Sequence, residues 1–336
     1  METITINGLS TRASRIALGT WALGGWMWGG SDDNAAIRTI HAALDNGINL
    51  IDTAPVYGFG KSEELVGRAL ADGRRQHALI ATKVGLDWRD GKPFRDSSPA
   101  RLRRELEASL RRLGTDVIDL YQVHWPDEST PIEETAAVLE EFRREGKIRA
   151  IGVSNYGPAQ MDLFRSVAPI ASVQPPYNLF ERESERDVLP YAAQNNLAVL
   201  AYGSLCRGLL TGKITAATRF EGDDLRKSDP KFRQPRLTQY LSAVAALDRL
   251  ARERYGKDVL ALAVRWLLDR GNIVALWGAR RPEQLAPVNA ALGWSLDERT
   301  MRDIDRILDE TIDDPVGPQF MAPPTRERIS PEAVQS

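Results

Sequence analysis

Asn49-Leu50-Ile51-Asp52-Thr53-Ala54-Pro55-Val56-Tyr57 reads as a short buried strand ending in a carboxylate, followed by a proline-broken loop that delivers a phenol. A charge directly after Leu50 and Ile51 is expensive unless it is paired. Gly58 and Gly60 follow the tyrosine closely. On its own this stretch fits a polar rim as well as an acid–base site, and its flanks decide between them.

Upstream, Ser31-Asp32-Asp33 caps an amphipathic helix over 34–45, which Asn46-Gly47 closes. Before it lie a Trp/Gly-rich loop, 21–30, and short strands at 3–9 and 16–20 around a turn. Downstream, a helix starts near Ser62 with Val66, Ala69 and Leu70 on its inner face. Strands are then expected at 78–84, 117–124, 150–155, 172–176, 198–203 and 273–277. Helices are expected at 98–112, 130–146, 158–167, 184–195, 237–254, 259–269, 282–291 and 297–309. Pro99 sits in the first turn of one helix, and Glu133 stands in a capping-box position in the next. A long polar loop, 204–235, interrupts the alternation and has the composition of a binding loop.

Eight strands counted from Ile16, each followed by helical pattern, predict a (β/α)8 TIM barrel with an N-terminal β-hairpin and an extra C-terminal helix. A dinucleotide-binding sheet would need Gly-x-Gly-x-x-Gly after the first strand, and Gly24-Gly25 and Gly29-Gly30 lack that spacing. No linker or shift in composition divides the chain, so one domain over 1–336 is expected, with an irregular proline-rich tail over 313–336.

The 336 residues are 43% hydrophobic and 27% charged, with a formal net charge of −2. That balance excludes the basic stripe of a nucleic-acid binder. One cysteine, Cys206, and three histidines leave no basis for a disulfide or a structural metal site, and no metal is expected. Cys206 reads as a small apolar filler. The first residues lack a basic region followed by an apolar run, and no stretch has the length of a membrane span, so a cytoplasmic monomer without membrane contact is expected.

Barrels of this type carry their sites at the C-terminal ends of the strands. Those ends hold Thr20-Trp21, Asp52 with Tyr57, Lys83, His124, Ser154-Asn155, Gln174, Tyr202 and Gly278. Asp52, Tyr57, Lys83 and His124 fall on three consecutive units. Each alone has a plain structural reading as a loop cap, a solvent-facing lysine, a packed ring or a backbone-bonded imidazole. Together they make a carbonyl-polarising site. Asp52 pairs with Lys83, the lysine cation is expected to lower the tyrosine pKa, Tyr57 gives a proton to a developing oxyanion, and a neutral His124 orients the carbonyl. The protein supplies no redox group, so the hydride must come from a cofactor. Trp21, Trp26, Trp28, Trp88 and Trp125 fall in loops on the same face and are expected to wall an apolar substrate pocket with Tyr57 and His124, whereas Trp266 and Trp294 read as packing residues.

Six motifs extend this reading: Gly47-x-x-x-x-Asp52-Thr-Ala-x-x-Tyr57-Gly58, Ala81-Thr-Lys83, Asp119-Leu-Tyr-Gln-Val-His124, Gly152-Val-Ser-Asn155, Gln174-Pro-Pro-Tyr-Asn178 and Trp277-Gly-Ala-Arg280-x-Pro-Glu-Gln284. In this order they resemble the aldo-keto reductases over nearly the whole chain. Gly24-Gly-Trp-Met-Trp-Gly29, the 203–212 segment and Asp314-Pro-Val-Gly-Pro-Gln-Phe-Met-Ala-Pro-Pro324 resemble the bacterial general-stress and inositol-utilisation members. The resemblance implies a tetrad of Asp52, Tyr57, Lys83 and His124, with Tyr57 as general acid, and NADPH as cofactor. Tyr202 would stack on the nicotinamide, and Ser154, Asn155 and Gln174 would hold its carboxamide. Thr20, Trp21, Asp52 and Gly278 would border the cofactor. Gly203, Ser204, Leu205, Arg207, Gly208 and Lys213 would pass over the pyrophosphate, and Arg280 and Gln284 would meet the 2′-phosphate. Pro287 and Val288 stand where many members carry Glu-Asn. The implied partner is a small carbonyl substrate. Two other readings use the same residues: a nicotinamide-binding redox-sensing subunit with little turnover, and a Schiff-base aldolase built on Lys83. A lysine paired with Asp52 stays protonated and is a poor nucleophile, which weighs against the aldolase.

Overall fold

The computed structural model describes residues 1–326. Eight parallel strands close into a barrel: β1 Ile16–Gly19, β2 Leu50–Asp52, β3 Leu79–Val84, β4 Ile118–Val123, β5 Ile148–Ser154, β6 Ser172–Gln174, β7 Ala198–Ala201 and β8 Ile273–Gly278. Neighbours in sequence are neighbours in the sheet, and β8 closes on β1 through the pair Ala275 and Ile16. Helices return the chain between strands: α1 Asp33–Asp45, α2 Lys61–Ala69, α3 Pro99–Leu113, α4 Ile132–Arg144, α5 Pro158–Arg165, α6 Val188–Gln194, α7 Arg236–Tyr255 and α8 Val259–Leu268. The extra C-terminal helix is α9, Glu298–Thr311. The expected TIM barrel is therefore present. Among the described residues no helix is long and apolar enough to cross a membrane.

Period-two alternation divides each strand between two cores. Ile16, Leu18, Ile51, Ile80, Tyr121, Val123, Ile151 and Val173 pack outward under the helices. Ala17, Leu50, Leu79, Ala81, Leu120, Ala150, Ala198 and Leu200 fill the interior. An antiparallel hairpin, Thr3–Ile4 with Ala13–Ser14, brings Ile4, Ile6 and Ala13 onto that inner cluster and closes the N-terminal end. Carried on to the C-terminal ends of the strands, the alternation puts Asp52, Lys83, Gln122, Ser154 and Gln174 on the inner side at the opposite end, all buried. A polar layer thus caps an apolar barrel.

Several local expectations are corrected. The helix expected over 184–195 begins only at Val188, after a 3-10 turn Glu183–Glu185. The Asp187 carboxylate accepts from Val188 N and starts the helix there, and Pro190 lies in its first turn, where a missing N–H does no harm. Pro282–Ala291 is 3-10 helix, with Pro287 removing an interior donor. Glu133 forms no capping box, because Pro131 occupies the N-cap and offers no side-chain acceptor. The 204–235 loop contains three short 3-10 turns, Cys206–Thr211, Leu225–Lys227 and Pro230–Phe232. The segment after β3 folds into a hairpin, Leu86–Arg89 with Lys92–Arg95, turning at Asp90 and Gly91, both with positive φ. Trp266 is fully buried core, while Trp294 packs against Tyr255 in a tilted arrangement with ring centroids 4.9 Å apart. The irregular tail expected over 313–336 contains a 3-10 turn, Gln319–Met321, and its last part, 327–336, lies outside the described residues.

Candidate active site

The barrel mouth opens into a cleft of about 1000 Å³, at the large end of the range for ligand pockets. Lys83 sits fully buried beneath it. Its ammonium lies 2.7 Å from Asp52 Oδ2, 2.9 Å from the Thr53 carbonyl oxygen and 3.2 Å from the Tyr57 hydroxyl. The His124 ring meets the Tyr57 ring edge-on at 5.8 Å, and the Trp21 ring stacks on Tyr57 at 5.7 Å. The four titratable residues singled out in the sequence therefore converge on one point.

Backbone contact aims the phenol. Gly58 and Gly60 both take positive φ in the turn that follows it. A Cβ on Gly24 would lie 2.5 Å from the Tyr57 carbonyl oxygen, so the helical turn Trp21–Gly24 packs directly on the tyrosine loop. Thr20 Oγ1 donates to Asp52 O at 2.9 Å, and Ser62 Oγ donates to Thr20 Oγ1 at 2.7 Å, which ties the end of β2 to α2.

One electrostatic expectation is reversed. Burial pushes the Tyr57 phenol above its ordinary value, and the Lys83 cation only partly opposes that rise. Burial would depress Lys83 itself, but the charge of Asp52 and the hydrogen bonds to Asp52 and Tyr57 outweigh it and hold the ammonium raised. His124 is held well below its ordinary value, by burial first and by Lys83 second, so its imidazole is neutral. Near neutral pH the site therefore holds a phenol, an ammonium and a neutral imidazole.

The other expected residues divide by what already occupies them. Thr20, Trp21, Ser154, Gln174, Tyr202, Gly203, Ser204, Leu205, Gly208, Gly278 and Gln284 line the cleft, as do Trp26 and Trp125. Asn155 lines it with its amide engaged: Nδ2 donates to His124 O at 3.0 Å and Ser154 Oγ at 3.1 Å, and Oδ1 accepts from Tyr202 OH at 2.9 Å. Arg207 reaches the cleft at φ 52°, but its guanidinium pairs with Glu181 and, at 2.5 Å, with Asp229. Lys231 completes that buried cluster, 2.7 Å from Glu181. Arg280 also lines the cleft, yet its guanidinium donates to Trp28 O at 2.9 Å and Gly30 O at 2.5 Å. Gln284 Oε1 accepts from the backbone N–H groups of Arg280 and Arg281, capping the 3-10 helix. Two expected residues lie elsewhere. Lys213 is exposed outside the lining, beyond the turn closed by Gly212, and Trp88 packs against Phe59 and Arg101 on the outer hairpin.

Sequence reasoning missed several lining residues. Arg226 pairs with Asp224 and stacks over Trp28 at 5.2 Å. Arg281 lines the cleft and is exposed. The hairpin tip brings in Gly91, Lys92 and Pro93, and Asp90-Gly91 is itself a strong hairpin signal. The tail returns over the mouth from 320 to 324, held where Arg95 donates to the Pro323 and Pro324 carbonyls at 2.9 Å.

Residues 15–309 match the aldo/keto reductase family. The chain belongs to that family. It is 60% identical to Aldo-keto reductase YhdN of Bacillus subtilis (strain 168) over 331 residues, covering 98% of this chain and 100% of that protein. It is 36% identical over 328 residues to the NADH-specific methylglyoxal reductase of Escherichia coli (strain K12), covering 92% of this chain and 100% of that protein. Among solved structures, the glycerol dehydrogenase AKR11B4 from Gluconobacter oxydans superposes with a TM-score of 0.87 at 57% identity, over 95% of this chain and 99% of that one. An oxidoreductase of the bacterial aldo-keto type is therefore the class to which the cleft belongs.

Proposed function

We propose that the chain is an NADPH-dependent reductase of small aldehydes and ketones, reversible toward alcohols and polyols, with Tyr57 as general acid. The observation that carries this is the buried line from Asp52 through Lys83 to the Tyr57 hydroxyl, opening beside a neutral imidazole.

The residues present fit a nicotinamide nucleotide. Gln174 Nε2 donates inward to Asp52 Oδ1 and Gln122 Oε1, leaving its Oε1 as an acceptor on a cleft-lining residue, suited to a carboxamide NH2. Tyr202 is pinned through its hydroxyl, so its ring is a fixed wall. Arg281 supplies an exposed guanidinium near the start of the 3-10 helix, a favourable place for a phosphate. A reduced nicotinamide, when bound, supplies the hydride that a carbonyl carbon accepts. Tyr57 gives its proton to the carbonyl oxygen, and Lys83 stabilises the phenolate that remains. Asp52 keeps Lys83 charged. His124, neutral, donates a hydrogen bond that orients the carbonyl. Trp21, Trp26 and Trp125 exclude water.

The named activities of two relatives, a methylglyoxal reductase and a glycerol dehydrogenase, support a substrate of about three carbons. A screen of methylglyoxal, glyceraldehyde and glycerol with NADPH, NADH and their oxidised forms tests substrate and cofactor together. Tyr57→Phe should abolish turnover, at least about a hundredfold, while nucleotide binding persists. Retained turnover would sink the assignment.

A further inference from the structure

Gln122 has no part in the roles set out so far. It is fully buried on β4, and its side chain enters the inner polar layer two residues above Leu120. Below that layer the barrel interior is filled by residues such as Leu50, Leu79, Leu120 and Leu200. An amide in such surroundings is costly unless its hydrogen bonds are made. Both go to the site: Gln122 Nε2 donates to Asp52 Oδ1 at 3.2 Å, and Gln122 Oε1 accepts from Gln174 Nε2 at 3.1 Å.

Chemistry fixes which way both amides point. A carboxylate only accepts. Asp52 Oδ2 takes the Lys83 ammonium, and Oδ1 takes an N–H from Gln122 and another, at 2.9 Å, from Gln174. With the Gln122 nitrogen turned to Asp52, its oxygen receives the second N–H of Gln174. Both amide hydrogens of Gln174 are then used inside the barrel, and only its oxygen is left to accept. Gln174 lines the cleft, whereas Gln122 does not.

The fold keeps room for this arrangement. Gly152 is the register partner of Gln122 on β5. A Cβ on Gly152 would lie 2.9 Å from Gln122 Cγ and 2.5 Å from Ser172 Oγ.

We propose that Gln122 is a positioning residue that locks the Gln174 amide with its oxygen available to the carboxamide NH2 of the nicotinamide, while holding Asp52 with Oδ2 toward Lys83. The inference rests on the nicotinamide reading above and adds to it the residue that sets carboxamide recognition. Gln122 touches neither substrate nor cofactor and acts through Gln174 and Asp52. An apolar side chain of the same length would fill the space equally well. It would leave the second N–H of Gln174 without an acceptor and Asp52 Oδ1 as the amide's one remaining anchor, so the amide could swing about that single bond and its oxygen would no longer be held toward the cleft.

The test compares NADP+ with its 3-acetylpyridine analogue, which replaces the carboxamide NH2 by a methyl group. Both are titrated by protein fluorescence against wild type, Gln122→Leu and Gln122→Met. Wild type should bind the carboxamide form about tenfold more tightly, the worth of one hydrogen bond that leaves a buried acceptor unpaired when lost. In both variants the ratio should fall to within about twofold of one, with KM for the carbonyl substrate unchanged. A variant that folds and keeps the wild-type ratio overturns the proposal. So does failure of both variants to fold, which would make Gln122 a requirement of the scaffold. If wild type binds neither nucleotide, the nicotinamide reading itself fails, and Tyr57→Phe tests that reading separately.

Discussion

The Lys83 ammonium lies 2.7 Å from Asp52 Oδ2, with both side chains withdrawn from water. Removing one partner of such a pair leaves an uncompensated charge in an apolar barrel, at a cost of about 3–5 kcal/mol. Lys83→Met should therefore destabilise the protein by that amount in urea unfolding. The double variant Asp52→Asn with Lys83→Met removes both charges and should recover most of the loss. Neither protein should turn over, because the phenolate left on Tyr57 has lost its counter-charge. Activity in the restored double variant would show that the pair serves the fold alone.

The direction of the Tyr57 shift sets the pH behaviour. Burial holds the phenol above its ordinary value, so it stays protonated through the neutral range. Carbonyl reduction needs that proton and should run at a level rate from about pH 6 to 8, falling only when the phenol ionises. Alcohol oxidation needs the phenolate as base and should rise with pH across the same interval. His124 is held well below its ordinary value, so no limb near pH 6.5 is expected in either direction. Initial rates measured both ways in one buffer series decide this, and a reduction rate that climbs toward alkaline pH would contradict it.

The sequence makes the barrel legible because the β/α alternation is a property of each strand and helix separately. Asp52, Lys83 and His124 are legible as strand ends. Gln122 is legible in principle as well, two residues beyond Leu120 on the inner side, but a glutamine carries no titratable signal to single it out. Other features depend on partners far along the chain. Arg280 reads as a free phosphate ligand until the carbonyls of Trp28 and Gly30 are seen to occupy it. Arg207 reads likewise until Glu181 and Asp229 close around it. The rise in the Tyr57 pKa is hidden for a related reason, since a neighbouring lysine is visible in sequence and depth of burial is not.

The two adjacent arginines at the far end of the cleft should separate in their effects. Arg280 holds the 25–30 loop through two carbonyls, whereas Arg281 is exposed in the same cleft with its backbone N–H capped by Gln284. Arg281→Ala should reduce the preference for NADPH over NADH about tenfold, the loss of one charge-assisted hydrogen bond. Arg280→Ala should instead weaken both nucleotides alike and expose the 25–30 loop to limited proteolysis. Arg280→Lys should restore little, because an ammonium lacks the fork that reaches two carbonyls. Dissociation constants for both nucleotides with each variant settle the assignment. A larger change of preference in Arg280→Ala would reverse it.

Gly152 connects packing to the site in a way that can be measured directly. Its Cβ position is crowded by Ser172 Oγ at 2.5 Å and Gln122 Cγ at 2.9 Å, so Gly152→Ala forces both side chains to move. Overpacking of this kind costs about 1–3 kcal/mol. Ser172→Ala removes the nearer of the two atoms, and the double variant should regain part of that stability. It should not regain the site, because Gln122 remains displaced from Asp52. Nucleotide discrimination and turnover should therefore stay low in the double variant while its melting temperature recovers. Parallel recovery of stability and activity would mean that the crowding acts on the fold as a whole and not on the position of Gln122.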